Sequence, residues 1–263
     1  MSDDYLAYEP PRLPAVRAVT FADLRASLAA GWDDFVNAPA FGLFFGGIYT
    51  AAGLLILAFL TVFHTPWMII PLAVGFPLVG PFVAVGLYEV SRRRLAGEPL
   101  AWRPILSVVL RQRNRQLGWT AFIVLFIFWI WIYQVRLLLA LFLRGESFSS
   151  IEGFLAVLTT TPDGLLFLAV GTCVGGVLAS VLYATTVITM PLLLDRDLDV
   201  VSAMIVSFQA IQKSPRAMIA WGILIPILTL VALVPAFLGL LVVLPVLGHA
   251  TWHLYVRAVD RTS

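Results

Sequence analysis

The sequence predicts an all-α integral membrane protein: six transmembrane helices arranged as three hairpins, each led by an amphipathic helix on the cytoplasmic face, with pseudo-threefold repetition. Three observations carry that expectation. Hydrophobic residues make up 60% of the 263-residue chain and charged residues only 12%, against about 25% charged in soluble domains. Long apolar runs alternate with short amphipathic ones. Residues 86–115, GLYEVSRRRLAGEPLAWRPILSVVLRQRNR, carry seven arginines against two glutamates, so this stretch stays out of hydrocarbon and fixes the side on which its neighbours end.

Residues 1–19, with Pro10, Pro11 and Pro14 close together, predict a flexible, proline-rich tail, and residues 20–259 a single transmembrane domain. The opening MSDDYLAYEPPRLP has no basic flank leading into an apolar core, so it does not read as a cleavable signal peptide. Thr20 followed by Asp23 is a capping signature, and Phe21, Leu24, Leu28, Trp32 and Phe35 recur at helical spacing. That helix is expected on the membrane surface with this apolar side down, Asp33 and Asp34 falling elsewhere.

Apolar runs at 40–63, 67–88, 117–135 and 162–194 follow, each long enough to cross a bilayer, which takes roughly 17–25 residues. The 162–194 run exceeds one straight crossing and is expected to tilt, kink or project, and residues 137–161 are expected along the far surface. Residues 200–213 are amphipathic, with Val201, Met204, Ile205, Phe208 and Ile211 on one face. The final block, 217–256, suits two crossings divided near Val234 and Pro235.

If the connections alternate sides, fifteen of the seventeen basic residues fall on one side and only Arg136 and Arg144 on the other. The positive-inside rule then puts both termini in the cytoplasm. Residues 94–119 align without a gap on residues 196–221, an arginine leading through an amphipathic segment to a tryptophan in each. Pro39 precedes Phe45 by the interval at which Pro215 precedes Trp221. Repeat units of about 20–90, 95–194 and 197–257 are expected.

Candidate chemistry is sparse. A net charge of +2 scattered among apolar runs gives no nucleic-acid footprint, and the one cysteine, Cys173, allows no internal disulfide. Phosphate-binding glycine loops, HExxH and GxSxG are not found, so neither enzymatic activity nor a cofactor is expected. The one polar constellation lies at the cytoplasmic ends of the returning spans: Glu89, Arg92 and Arg93; Asp195 and Arg196; His249, His253, Tyr255 and Arg257. These groups either converge or sit separately at the interface, compensating helix dipoles. His249 and His253 share a face at one-turn spacing, which two histidines alone make a weak metal signal, and none is expected. Gly42 and Gly46, and Gly171 and Gly175, are pairs at four-residue spacing suited to close helix packing.

Three of these segments, GLYEVSRR at 86–93, PLLLDR at 191–196 and GHATWHLY at 248–255, together resemble the bacterial integral-membrane family called domain of unknown function 2189. The resemblance covers most of residues 31–257. It implies a bacterial inner-membrane setting without an established activity. Some members carry a cytochrome-oxidase label; this chain lacks the several intramembrane histidines a catalytic oxidase subunit needs, so the label implies at most an accessory role in a respiratory complex. Two functions are therefore expected. One is an accessory, assembly or scaffold component acting through the bilayer, other membrane proteins or further copies of itself. The other is a small-solute transporter or channel, favoured by a water-filled passage lined by Glu89, Asp195 and His253.

Overall fold

Thr20 starts the first helix. Its hydroxyl accepts from the Asp23 backbone amide while the Asp23 carboxylate accepts from the Thr20 amide, a complete capping box. The computed structural model describes residues 13–62, 69–112, 117–144 and 151–260. Among them the order is α1 (Phe21–Asn37), α2 (Pro39–Thr61), α3 (Ile69–Ala96), α4 (Trp102–Gln112), α5 (Leu117–Phe142), α6 (Ile151–Thr160), α7 (Pro162–Thr186), α8 (Thr189–Asp195), α9 (Val200–Lys213), α10 (Pro215–Leu233) and α11 (Leu240–Ala258). Among the described residues, five stretches are long and apolar enough to cross a membrane: Pro39–Phe59, Phe122–Phe142, Pro162–Asp195, Pro215–Leu233 and Leu240–Ala258.

The hairpins are α2 with α3, α5 with α7, and α10 with α11. The returning helices α3, α8 and α11 also touch one another pairwise, so their ends form the middle of the bundle. Tyr88 of α3, Leu192 of α8, and Trp252 and Tyr255 of α11 are buried in one cluster there. Each amphipathic helix lies on a returning helix: α1 on α11, α4 on α3, and α9 on α7 and α8.

The overlong apolar run breaks between Thr186 and Thr189. Pro191 supplies no amide for a continuous ladder, and Ser207 of α9 satisfies the exposed backbone by accepting from Ile188 N–H at 3.3 Å and donating to the Ala184 carbonyl at 2.7 Å. This is how a broken helix is tolerated where water is scarce. The last block divides as its sequence suggests, with Ala236 and Phe237 at positive φ between α10 and α11. Two boundaries differ from expectation. Helix α5 continues to Phe142, well beyond Arg136, because the apolar run after that arginine keeps good helix formers. Residues 15–19 are no free tail: Arg17 N–H donates to the Ala258 carbonyl, Asp260 N–H to the Ala15 carbonyl, and Val19 N–H to Ser214 Oγ.

Helices α1 and α9 each carry a second, buried stripe besides the bulky apolar one. Helix α1 buries Leu24, Ser27, Gly31, Asp34 and Phe35 and leaves Phe21 and Trp32 exposed; α9 buries Val200, Ala203, Val206, Ser207 and Ala210 and leaves Val201, Ile205 and Phe208 exposed. Periodicity in bulky residues picks out one stripe. A second, of small residues, is what a neighbouring helix can approach. At Gly31 a methyl group would stand 2.6 Å from the Ala250 nitrogen and 2.7 Å from the Val246 oxygen, both backbone.

Candidate functional site

That close approach of α1 to α11 delivers a carboxylate to a pair of histidines. Asp34, one turn beyond Gly31, is 4% exposed, and its Oδ2 accepts from His253 Nε2 at 2.8 Å. Its Oδ1 is 3.0 Å from Arg94 Nε, and a second guanidinium nitrogen of Arg94 reaches Asp33 Oδ2 at 3.0 Å. Arg94 also donates to the backbone carbonyls of Asp33 and Asp34, so the end of α3 grips the last turns of α1.

Ser91, fully buried, hydrogen-bonds the Asp34 carboxylate and lies 2.8 Å from His249 Nδ1. An ionised carboxylate only accepts, so the Ser91 hydroxyl donates to it and takes the Nδ1–H of His249 in return. The order of bonds assigns that tautomer. Burial pushes the Asp34 carboxyl up, but the hydrogen bonds from His253 and Ser91, with the nearby imidazole charge, outweigh it and hold the group below the usual carboxylate range.

The expected constellation is thus divided. Glu89, 1% exposed, is held within its own helix by Arg92 at 2.7 Å and Arg93 at 2.6 Å, and both arginines continue to Glu98 at 3.4 and 3.3 Å. Asp195 Oδ2 accepts from the Tyr255 hydroxyl at 2.8 Å, and Arg196 donates to the Asp260 carbonyl at 2.6 Å. His249 and His253 belong to the Asp34 group, while Arg257 donates to the His253 carbonyl at 3.0 Å. The three quoted segments do meet around α11: Leu87 packs on Gly248, Tyr88 stacks on Trp252, and Tyr255 reaches Asp195. In these bonds Glu89, Asp195 and His253 each have a different partner.

Sequence reasoning missed Asp34, Ser91 and Arg94. Asp34 shares helical spacing with Leu24, Ser27 and Gly31, a signal readable only by treating small residues as a packing face. Ser91 lies within GLYEVSRR, and Arg94 directly follows it.

The glycines differ among themselves. A methyl on Gly46 would meet Pro245 Cγ at 2.9 Å and the carbonyls of Leu240 and Leu241 at 3.1 Å, and one on Gly42 the Phe35 ring at 2.6 Å. On Gly175 it would meet the Trp131 ring at 2.6 Å, and on Gly171 it would make ordinary contact with Leu138 at 3.5 Å.

Chemically, the junction can bind three elements together and carry charge at their meeting point. Glu89, Asp195 and His253 line neither of the two apolar clefts between α5, α7 and α10 and at the bundle centre. Residues 69–195, just under half the chain, match the family model for domain of unknown function 2189, described as a predicted integral membrane protein. The match takes in the first quoted segment and all but the last residue of the second, and stops short of the third. No curated protein and no solved structure matches the chain.

Proposed function

We propose that the chain is a non-enzymatic accessory or scaffold protein of the bacterial inner membrane, with six spans, acting through other membrane proteins. The observation that carries this reading is the internal use of its charge. Glu89 is enclosed by two arginines, Asp195 is bonded to Tyr255, and His253 is bonded to Asp34. A translocation path needs such groups facing water. What the molecule presents outward is apolar instead: along α5, Phe122, Phe126, Trp129, Tyr133 and Leu137 are each more than half exposed.

Helix α3 is the sixth span in this reading. Its 28 residues extend about 42 Å at 1.5 Å per residue, and residues 69–88 contain no charge. Both termini are cytoplasmic, on the distribution of basic residues. The pseudo-threefold arrangement is supported by the cyclic pattern in which each amphipathic helix rests on the preceding returning helix, α1 on α11 closing the circle. It is supported again by the joints before α2 and α10. Ala38 at φ −135°, ψ 50° and Ser214 at φ −137°, ψ 56° each precede a proline at the first helical position. The exposed bulky stripes of α1 and α9 rest on the bilayer surface in this arrangement.

Vesicle reconstitution tests the reading. The purified chain is expected to add no flux of protons, metal ions or small solutes over empty vesicles. In native membranes a photo-crosslinker replacing Trp129 is expected to yield a discrete protein adduct. Flux abolished by His253→Gln or Glu89→Gln would replace the scaffold with a transporter.

A further inference from the structure

The cyclic packing has three seams, where a returning helix meets the outgoing helix of the next hairpin. Two are closed: α3 packs along α5, and α11 along α2. The third, between α7 and α10, is bridged at Tyr183, whose ring lies 3.1 Å from where a methyl on Gly222 would stand and whose hydroxyl donates to the Met218 carbonyl at 2.7 Å. Away from that bridge the seam opens into a cleft of about 870 Å³ walled by α5, α7 and α10. It adjoins a second hollow of about 560 Å³ that reaches Tyr88 and Thr251 at the bundle centre; Val124, Ala179, Leu182 and Pro226 belong to both.

We propose that this open seam is an acyl-chain site, in which a hydrocarbon tail of a bilayer phospholipid enters between α7 and α10 and ends near the bundle centre. The cleft lies among helices apolar and long enough to span, so the medium at its mouth is lipid. Its size falls within the roughly 300–1,000 Å³ of small-molecule sites. Water is a poor occupant, since it needs two to four polar partners. The Thr186 and Thr251 hydroxyls on the wall already donate to the Leu182 and Leu247 carbonyls, at 2.6 and 2.7 Å, and Tyr183 to Met218. An unfilled hollow would forfeit dispersion contacts along its whole lining. A flexible chain restores them without any polar group to satisfy. The hollow is built into the sequence by residues with little or no side chain: Gly171, Gly176 and Ala179 line it, and a methyl on Gly176 would meet nothing within 4 Å. This site goes beyond the scaffold reading and requires only the bilayer setting.

The test reconstitutes the full chain with phosphatidylethanolamine carrying a photoactivatable diazirine in one acyl chain, and maps adducts by mass spectrometry. Adducts at Leu182, Ala179 and Trp131 are expected to exceed those at the outward-facing Phe122 and Phe126 severalfold. Gly176→Phe should remove most of the cleft adducts and leave the Phe122 and Phe126 adducts unchanged, and thermal melting establishes that the variant folds. Should it not fold, Ala179→Leu serves in its place. Equal labelling of both faces, cleft adducts that persist in a folded plugged variant, or cross-links from the cleft to a second copy of the chain would each overturn the proposal.

Discussion

His253 Nε2 on the last helix lies 2.8 Å from Asp34 Oδ2 on the first, although 219 residues separate them. The bond closes the circle of helices at its two ends. Arg94, from the end of α3, takes the other carboxylate oxygen at 3.0 Å. Three elements far apart in sequence therefore share one buried anion.

Removing that anion should be costly. Asp34→Ala leaves buried His253 without its carboxylate and Arg94 with only Asp33 and two backbone carbonyls, and breaking a buried pair costs about 3–5 kcal/mol. Arg94→Ala alone should cost less, because the Arg94 side chain is 22% exposed. The double variant should cost less than the sum of the two. Detergent melting of all four proteins gives the coupling, and strict additivity would mean that the pair contributes nothing as a pair.

The acid limb of stability follows from the same carboxylate. Its pKa is depressed in the folded state, so its contribution is present above the unfolded value of about 3.9 and is lost as pH falls through the folded value. Asp23 and Asp199 are also held low, by hydrogen bonds from Thr20 and Ser202. Asp34→Asn should therefore flatten the fall in melting temperature below about pH 4 without abolishing it. The wild-type slope retained in Asp34→Asn would show that the limb arises elsewhere.

Two glycine substitutions should behave oppositely. Gly31→Val drives side-chain atoms into the backbone of α11 and should cost about 1–3 kcal/mol or more. Gly176→Val enters open space and should leave the melting temperature within a degree or two, helped by the better helix propensity of valine over glycine. Similar shifts for both would contradict the tight contact of α1 with α11.

Topology has its own readout. Reporter domains active only after export, fused after Gly97 and after Asp199, should both be inactive if the proposed orientation, with both connections on the cytoplasmic side, holds. Activity at either position reverses the orientation.

The amino-acid sequence by itself determined the class of molecule and the placement of its helices. Burial of backbone groups in hydrocarbon forces helix wherever apolar runs are long, and Thr20, Pro39, Pro215 and the turn after Leu233 mark ends by local chemistry that needs no tertiary partner. What tertiary structure alone decided is which face of each amphipathic helix turns inward and which charges meet. Bulk announced Phe21 and Trp32 on α1, yet close packing chose Ser27, Gly31 and Asp34. Pairing across 60 residues for Arg94 and Asp34, or 219 for His253 and Asp34, leaves no periodic trace in one sequence. Hydropathy reports the free energy of a residue in a medium; a contact depends on two surfaces fitting, and the second surface lies elsewhere in the chain.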